Sequence, residues 1–203
     1  MKIFKNNTKK TITEKQDNIL VTTPNYGTFI SKCISAKGDI QSCEAITIEG
    51  KIIGDITCED IVVILPEGVV TGRIEAKELR VDGKVEGSIE AKIVEELESA
   101  TIKGDILADI VILNGTSNGN ILCKESLEIG KGANIKCKDC KAEIVTIDGS
   151  ITGNLIASKL IELQKNATLK GSIKAKELKS ELGCKISALV DIFDNRDKKD
   201  KES

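Results

Sequence analysis

From residue 26 onward the chain alternates apolar and polar residues, and glycine interrupts the alternation at short intervals. The stretch 72–91, GRIEAKELRVDGKVEGSIEA, holds the whole unit. Gly72, Ile74 and Ala76 open it, Leu79 and Val81 follow, then Gly83 and Val85, and Gly87, Ile89 and Ala91 begin it again. A period of two turns one side of a strand inward. The glycines mark the places where the chain turns a corner.

Gly-x-Ile or Gly-x-Leu recurs at Gly38, Gly54, Gly72, Gly87, Gly104, Gly119, Gly153 and Gly171, and the variant Ala133-Asn-Ile135 is read as the anchor between 119 and 153. The steps average about 17 residues, too short for a helix pair or a propeller blade. Such a step predicts one coil of a parallel β-solenoid, with three short strands and three corners. Two residues after each anchor stands an aliphatic residue. Four after it stands a small one: Ser42, Cys58, Ala76, Ala91, Ala108, Cys123, Cys137, Ala157 or Ala175. A second face is read from pairs such as Ile46-x-Ile48, Leu79-x-Val81 and Val145-x-Ile147, with Val111-Ile112 as a variant. A third is read through Val69, Val85, Ile102, Ile151 and Leu169. The steps vary from 14 to 20 residues, unlike the strict 18-residue coil of left-handed hexapeptide solenoids. The coil at 133–152 lacks its glycine and contains Cys140, so it is expected to bulge.

Composition narrows the function. The chain has 203 residues, a length suited to one domain. The expected division is a tail at 1–25, a solenoid at 26–193 and a charged tail at 194–203. There is no histidine, which removes the commonest general base and metal ligand together. The net charge is −2 and no basic block stands in the interior, so no nucleic-acid partner is expected. No apolar run has the ~20 residues of a membrane span, and no signal peptide is visible, so a cytoplasmic location is expected. The seven cysteines are then expected to be mostly free thiols.

Candidate chemistry is sparse. Cys137-x-x-Cys140 is a lone CxxC, and with Cys137 in the small column it reads as structural packing rather than zinc or redox chemistry. Glu75, Lys77, Glu78 and Arg80 alternate with the apolar ladder and read as a solvated outer face. No catalytic, metal or cofactor-binding residue is assigned. Met1, Lys2, Ile3, Phe4 and Lys5 combine an apolar tip with lysines; composition alone favours a solvated tail over an anchor for anionic lipid. The four aromatics, Phe4, Tyr26, Phe29 and Phe193, all lie outside residues 30–192.

The repeated G-x-I-x-A/C units (GDITC at 54–58, GSIEA at 87–91, GSIKA at 171–175), set between a short N-terminal and a charged C-terminal tail, resemble the bactofilins. The resemblance covers residues 27–190. It implies a right-handed, three-sided parallel β-helix and a non-enzymatic cytoskeletal role. It also implies end-to-end, nucleotide-free self-assembly into nonpolar filaments or sheets. Membrane attachment through a short N-terminal segment, at the inner face of the cytoplasmic membrane, is a further implication, as is service to cell shape or to recruited cell-wall and morphogenesis proteins. MKIFK at 1–5 looks like that segment. Tyr26, Phe29 and Phe193 are assigned to polymer end contacts by position. The rival readings are a β-helix enzyme, either an acyltransferase or polysaccharide-acting, and a monomeric scaffold with sealed ends.

Overall fold

The computed structural model describes residues 27–193. Within them every regular element is a β-strand, eighteen in all, from Thr28–Ile30 to Lys185–Ile192. All pairings are parallel, and each strand pairs with the equivalent strand of the neighbouring coil. Three ladders of ten rungs result, so the molecule is a solenoid of ten coils. At a strand spacing of ~4.8 Å it forms a rod about 48 Å long.

The ladders stack like on like. On the first face Ile74, Ile89, Ile106 and Ile121 lie in register. Val62, Leu79, Val94 and Val111 do so on the second, and Val70, Val85 and Ile102 on the third. These side chains are almost wholly buried and join one continuous core. Each buried aliphatic residue contributes about 1.5–3 kcal/mol. Because each coil rests only on its neighbours, stability is spread along the rod rather than centred in it.

Corners explain the glycines and the residues after them. Gly104 has a φ of +146°, and a Cβ there would run into the carbonyl of Gly87 one coil away. Beside this glycine column runs a ladder of short polar side chains. Asp39 accepts from the Asp55 N–H at 2.9 Å, Asp55 from the Arg73 N–H at 2.8 Å, and Asp105 from the Asn120 N–H at 2.7 Å. Backbone donors exposed by the turn are thereby satisfied. The small column does related work: Cys58 donates to the Glu44 carbonyl at 3.3 Å, and Cys123 to those of Asp109 and Ser126 at 3.1 Å.

Three column assignments are corrected. Val70, not Val69, is the inward residue of its strand, since Val70 pairs with Val85 and is fully buried. Leu113, not Ile112, follows Val111 into the core. Ala133-Asn-Ile135 is not an anchor: Ile135 pairs with Ser117 and Ile151 on the third face. In that coil Cys140 takes the isoleucine position, paired with Ile121 and Leu155, and Ala142 takes the small one, paired with Ala157. Cys137 therefore does not share the column of Cys58 and Cys123. The expected bulge is present. Lys136 pairs with Thr152 and Asp139 with Asn154, so Cys137 and Lys138 together span the place that Gly153 fills alone.

Candidate functional site

The two ends of the rod are where the repeat stops, and there the core is uncovered. At the C-terminal end, Ile186 pairs with Leu169 and Val190 with Ile173, which places both in inward columns with no further rung above among the described residues. They are 41% and 46% exposed, against 1% for both Leu169 and Ile173. Leu182, Leu189 and Ile192 are exposed beside them. At the N-terminal end, Phe29 and Ile34 are exposed on the first coil. Both ends also carry strands paired on one side only, Thr28–Ile30 and Ser35–Lys37 at one, Lys185–Ile192 at the other. Unpaired N–H and C=O groups beside an apolar slice form a template for another strand. Among the described residues no helix or loop caps either end.

Of the residues predicted as end contacts, Phe29 and Phe193 lie at opposite ends. Phe29 pairs in register with Thr47, in the column alternate to the inward Ile30. The Phe193 N–H donates to the Ala175 carbonyl at 3.0 Å, and its ring centroid lies 6.0 Å from Lys174 Nζ. Tyr26 and Met1, Lys2, Ile3, Phe4 and Lys5 fall outside the described residues. The sequence reading overlooked Leu182, Ile186, Leu189, Val190 and Ile192. Their signal was the run KISALVDI, which repeats the strand pattern once more before the charged run that begins at Asp194.

The lateral faces are charged and paired. Arg73 meets Glu90 at 2.5 Å, Arg80 meets Glu95 at 2.9 Å, and Lys159 meets Glu143 at 2.6 Å, each across one coil step. Lys84 and Lys103 flank Glu86 and hold its carboxyl below the usual range. Such exposed pairs contribute little stability each. An open groove of about 340 Å³ runs along one face between Arg73, Glu90, Asp105 and Asn120, floored by Leu107 and Leu122. Among the described residues no group of three or more Cys, Asp or Glu converges as a metal site would require.

One internal feature went unread in the sequence, and another was read there only as packing. Glu96 is fully buried, in register with Val81 and Leu113. Ser117 Oγ donates to its Oε1 at 3.0 Å, and burial raises the carboxyl to about 7. At the bulged corner Cys137 is half-buried and Cys140 fully buried.

The family model for bactofilin, described as polymer-forming cytoskeletal, matches residues 28–114 and again 107–191. Together the matches span nearly the whole solenoid. The chain belongs to the bactofilin family. Two bactofilins of Myxococcus xanthus strain DK1622 are similar to it. BacO is 34% identical over 103 residues, 49% of this chain and 82% of BacO. BacP is 30% identical over 92 residues, 44% of this chain and 38% of BacP. The match to BacP thus spans well under half of that relative's length. No solved structure matches. Bactofilins are polymer-forming cytoskeletal proteins, and in this bactofilin the uncovered strand edges lie at the two ends.

Proposed function

We propose that this bactofilin assembles end to end with copies of itself, without nucleotide, into filaments. The observation that carries this reading is the uncovered core at Ile186 and Val190, on a strand edge that has no partner among the described residues. Repeated pairing of such ends yields an open polymer rather than a closed oligomer. The ladders need no ligand to extend, because the next rung supplies both hydrogen bonds and apolar cover. On this reading residues 26–193 are the polymerising unit, residues 1–25 the tether and residues 194–203 a solvated tail. The tether's Met1, Lys2, Ile3, Phe4 and Lys5 bind an anionic lipid surface. Each copy alone binds weakly, and the filament makes the attachment multivalent. The filament then serves as a scaffold at the inner face of the cytoplasmic membrane, recruiting proteins of wall growth or shape. No catalysis is assigned to it. The absence of histidine supports a structural role, as does the family.

Negative-stain microscopy of purified protein in nucleotide-free buffer tests the assembly. Filaments are expected at micromolar concentration; a monodisperse monomer across salt conditions overturns it. Co-sedimentation with vesicles of anionic and of neutral phospholipid tests the tether separately. Binding to the anionic vesicles, lost in F4E, is expected, and equal binding by F4E overturns the lipid assignment.

A further inference from the structure

The CKDC corner departs from the pattern of the other coils, and it holds two thiols. Elsewhere one glycine and one further residue separate the third face from the first, except in the last coil, where Ala188 takes the glycine's place. Here Cys137 and Lys138 occupy that place as a two-against-one bulge opposite Gly153. A bulge bends its strand and re-aims the side chains on it. Cys137 Sγ packs over Gly153, 2.9 Å from where a Cβ on that glycine would stand. Cys140 lies three residues on, fully buried between Ile121 and Leu155, in a column that is aliphatic in every other coil. The turn sets the Cys140 thiol beside the Cys137 sulfur, which also lies 3.8 Å from the Thr152 carbonyl. An accessible thiol backed by a buried one is the arrangement of an attacking and a resolving cysteine.

We propose that Cys137 and Cys140 are a reversible dithiol–disulfide site that exchanges with small-molecule disulfides. The Cys137 thiolate attacks one sulfur of the small disulfide, forming a mixed disulfide and releasing one small thiolate. That thiolate takes the Cys140 proton. The Cys140 sulfur then attacks Cys137 Sγ, closes the protein disulfide and expels the second small thiolate, which takes a proton from water. The protein is oxidised by two electrons, and the small disulfide is reduced to two thiols. Exposure assigns the two roles, since Cys137 is half-buried and Cys140 fully buried; the neighbouring thiols also move the Cys137 value down and the Cys140 value up. Cys58 and Cys123 differ in that burial raises both, although like Cys137 each donates to a backbone carbonyl.

Full-length reduced protein is equilibrated in buffers of oxidised and reduced glutathione, alkylated, digested with trypsin and analysed by mass spectrometry. The expected product joins peptide Cys137–Lys138 to peptide Asp139–Lys141, disappears with excess reduced glutathione, and gives way in C140S to glutathione held on Cys137. In C140S the pH midpoint for alkylation of Cys137 should also move upward. Circular dichroism confirms that C140S keeps its strands. If Cys137 and Cys140 stay free while the exposed Cys33 and Cys43 take up glutathione, the site is overturned. An unchanged alkylation profile in C140S overturns the role given to Cys140.

Discussion

Ser117 Oγ donates a 3.0 Å hydrogen bond to Glu96 Oε1 across two coils of a core whose stacked neighbours are aliphatic. Glu96 stands between Val81 and Leu113, and Ser117 between Ile102 and Ile135. Its other oxygen, Oε2, has no partner. Among the described residues no charged side chain balances the carboxyl, whose neighbours are the Ser117 hydroxyl and the Gly115 N–H.

This placement makes stability fall with rising pH. Burial lifts the folded-state value of Glu96 from 4.5 to about 7, while an unfolded chain keeps the ordinary value. Between those limits the folded state binds more protons, so the contribution of Glu96 declines from about pH 4.5 and is lost above about pH 7. The full change is about 3 kcal/mol. Urea unfolding at pH 5 and pH 8 should show that E96Q removes this slope. Equal slopes for E96Q and the natural protein would refute the assignment.

The pair should also behave as a unit. S117A leaves the carboxyl with one fewer donor and should destabilise by about 1–3 kcal/mol at pH 8. E96L/S117V restores an aliphatic ladder on both faces and should be more stable than the natural protein at that pH. Unfolding midpoints of the natural protein, E96L, S117V and E96L/S117V form a double-mutant cycle, and additivity of the two single effects would mean the residues act independently.

At the corners, space and backbone conformation separate cleanly. Gly104 has a φ of +146° and the Gly87 carbonyl beneath it; Gly132 has a φ of +90° and no atom within 4 Å of an added Cβ. Gly104→Ala should therefore cost about 4 kcal/mol or more, and Gly132→Ala only about 1–2 kcal/mol, that of the backbone strain. Thermal unfolding of the two variants checks the ranking, and an equal loss would show that strain alone governs the corners.

Much of this architecture was legible because a solenoid writes each coil over the last. Ile74, Ile89 and Ile106 announce one column simply by recurring. The reading slipped wherever alternation was ambiguous or masked. Val69 and Val70 are adjacent and equally apolar, so period two cannot choose between them; the corner at Gly68 does. Glu96 hid the pair Val94-x-Glu96 because a carboxylate reads as a solvent-facing residue, and Ser117 hid its column in the same way. The extra residue at 137–138 shifted the 133–152 coil out of register, moving Cys137 from a packing column to a corner. The ends were hardest. Val190 has the same pattern as Ile173, and only the missing eleventh rung exposes it.

That missing rung sets the last prediction. If end pairing builds the polymer, a charge placed on the uncovered core must be desolvated at every junction. V190E buries a carboxylate against the next copy, while I34E places one on the opposite end. Each should raise the concentration needed for filaments at least tenfold, a loss of about 1.4 kcal/mol per junction. F29E and F193E test the two aromatic positions in the same way. L122E is the contrast: Leu122 is 49% exposed but lies on a lateral face, so filaments should persist. Sedimentation over a concentration series measures the threshold, with circular dichroism confirming that strand content is unchanged. Filaments that survive V190E and I34E but vanish in L122E would relocate the primary contact from the ends to the lateral face.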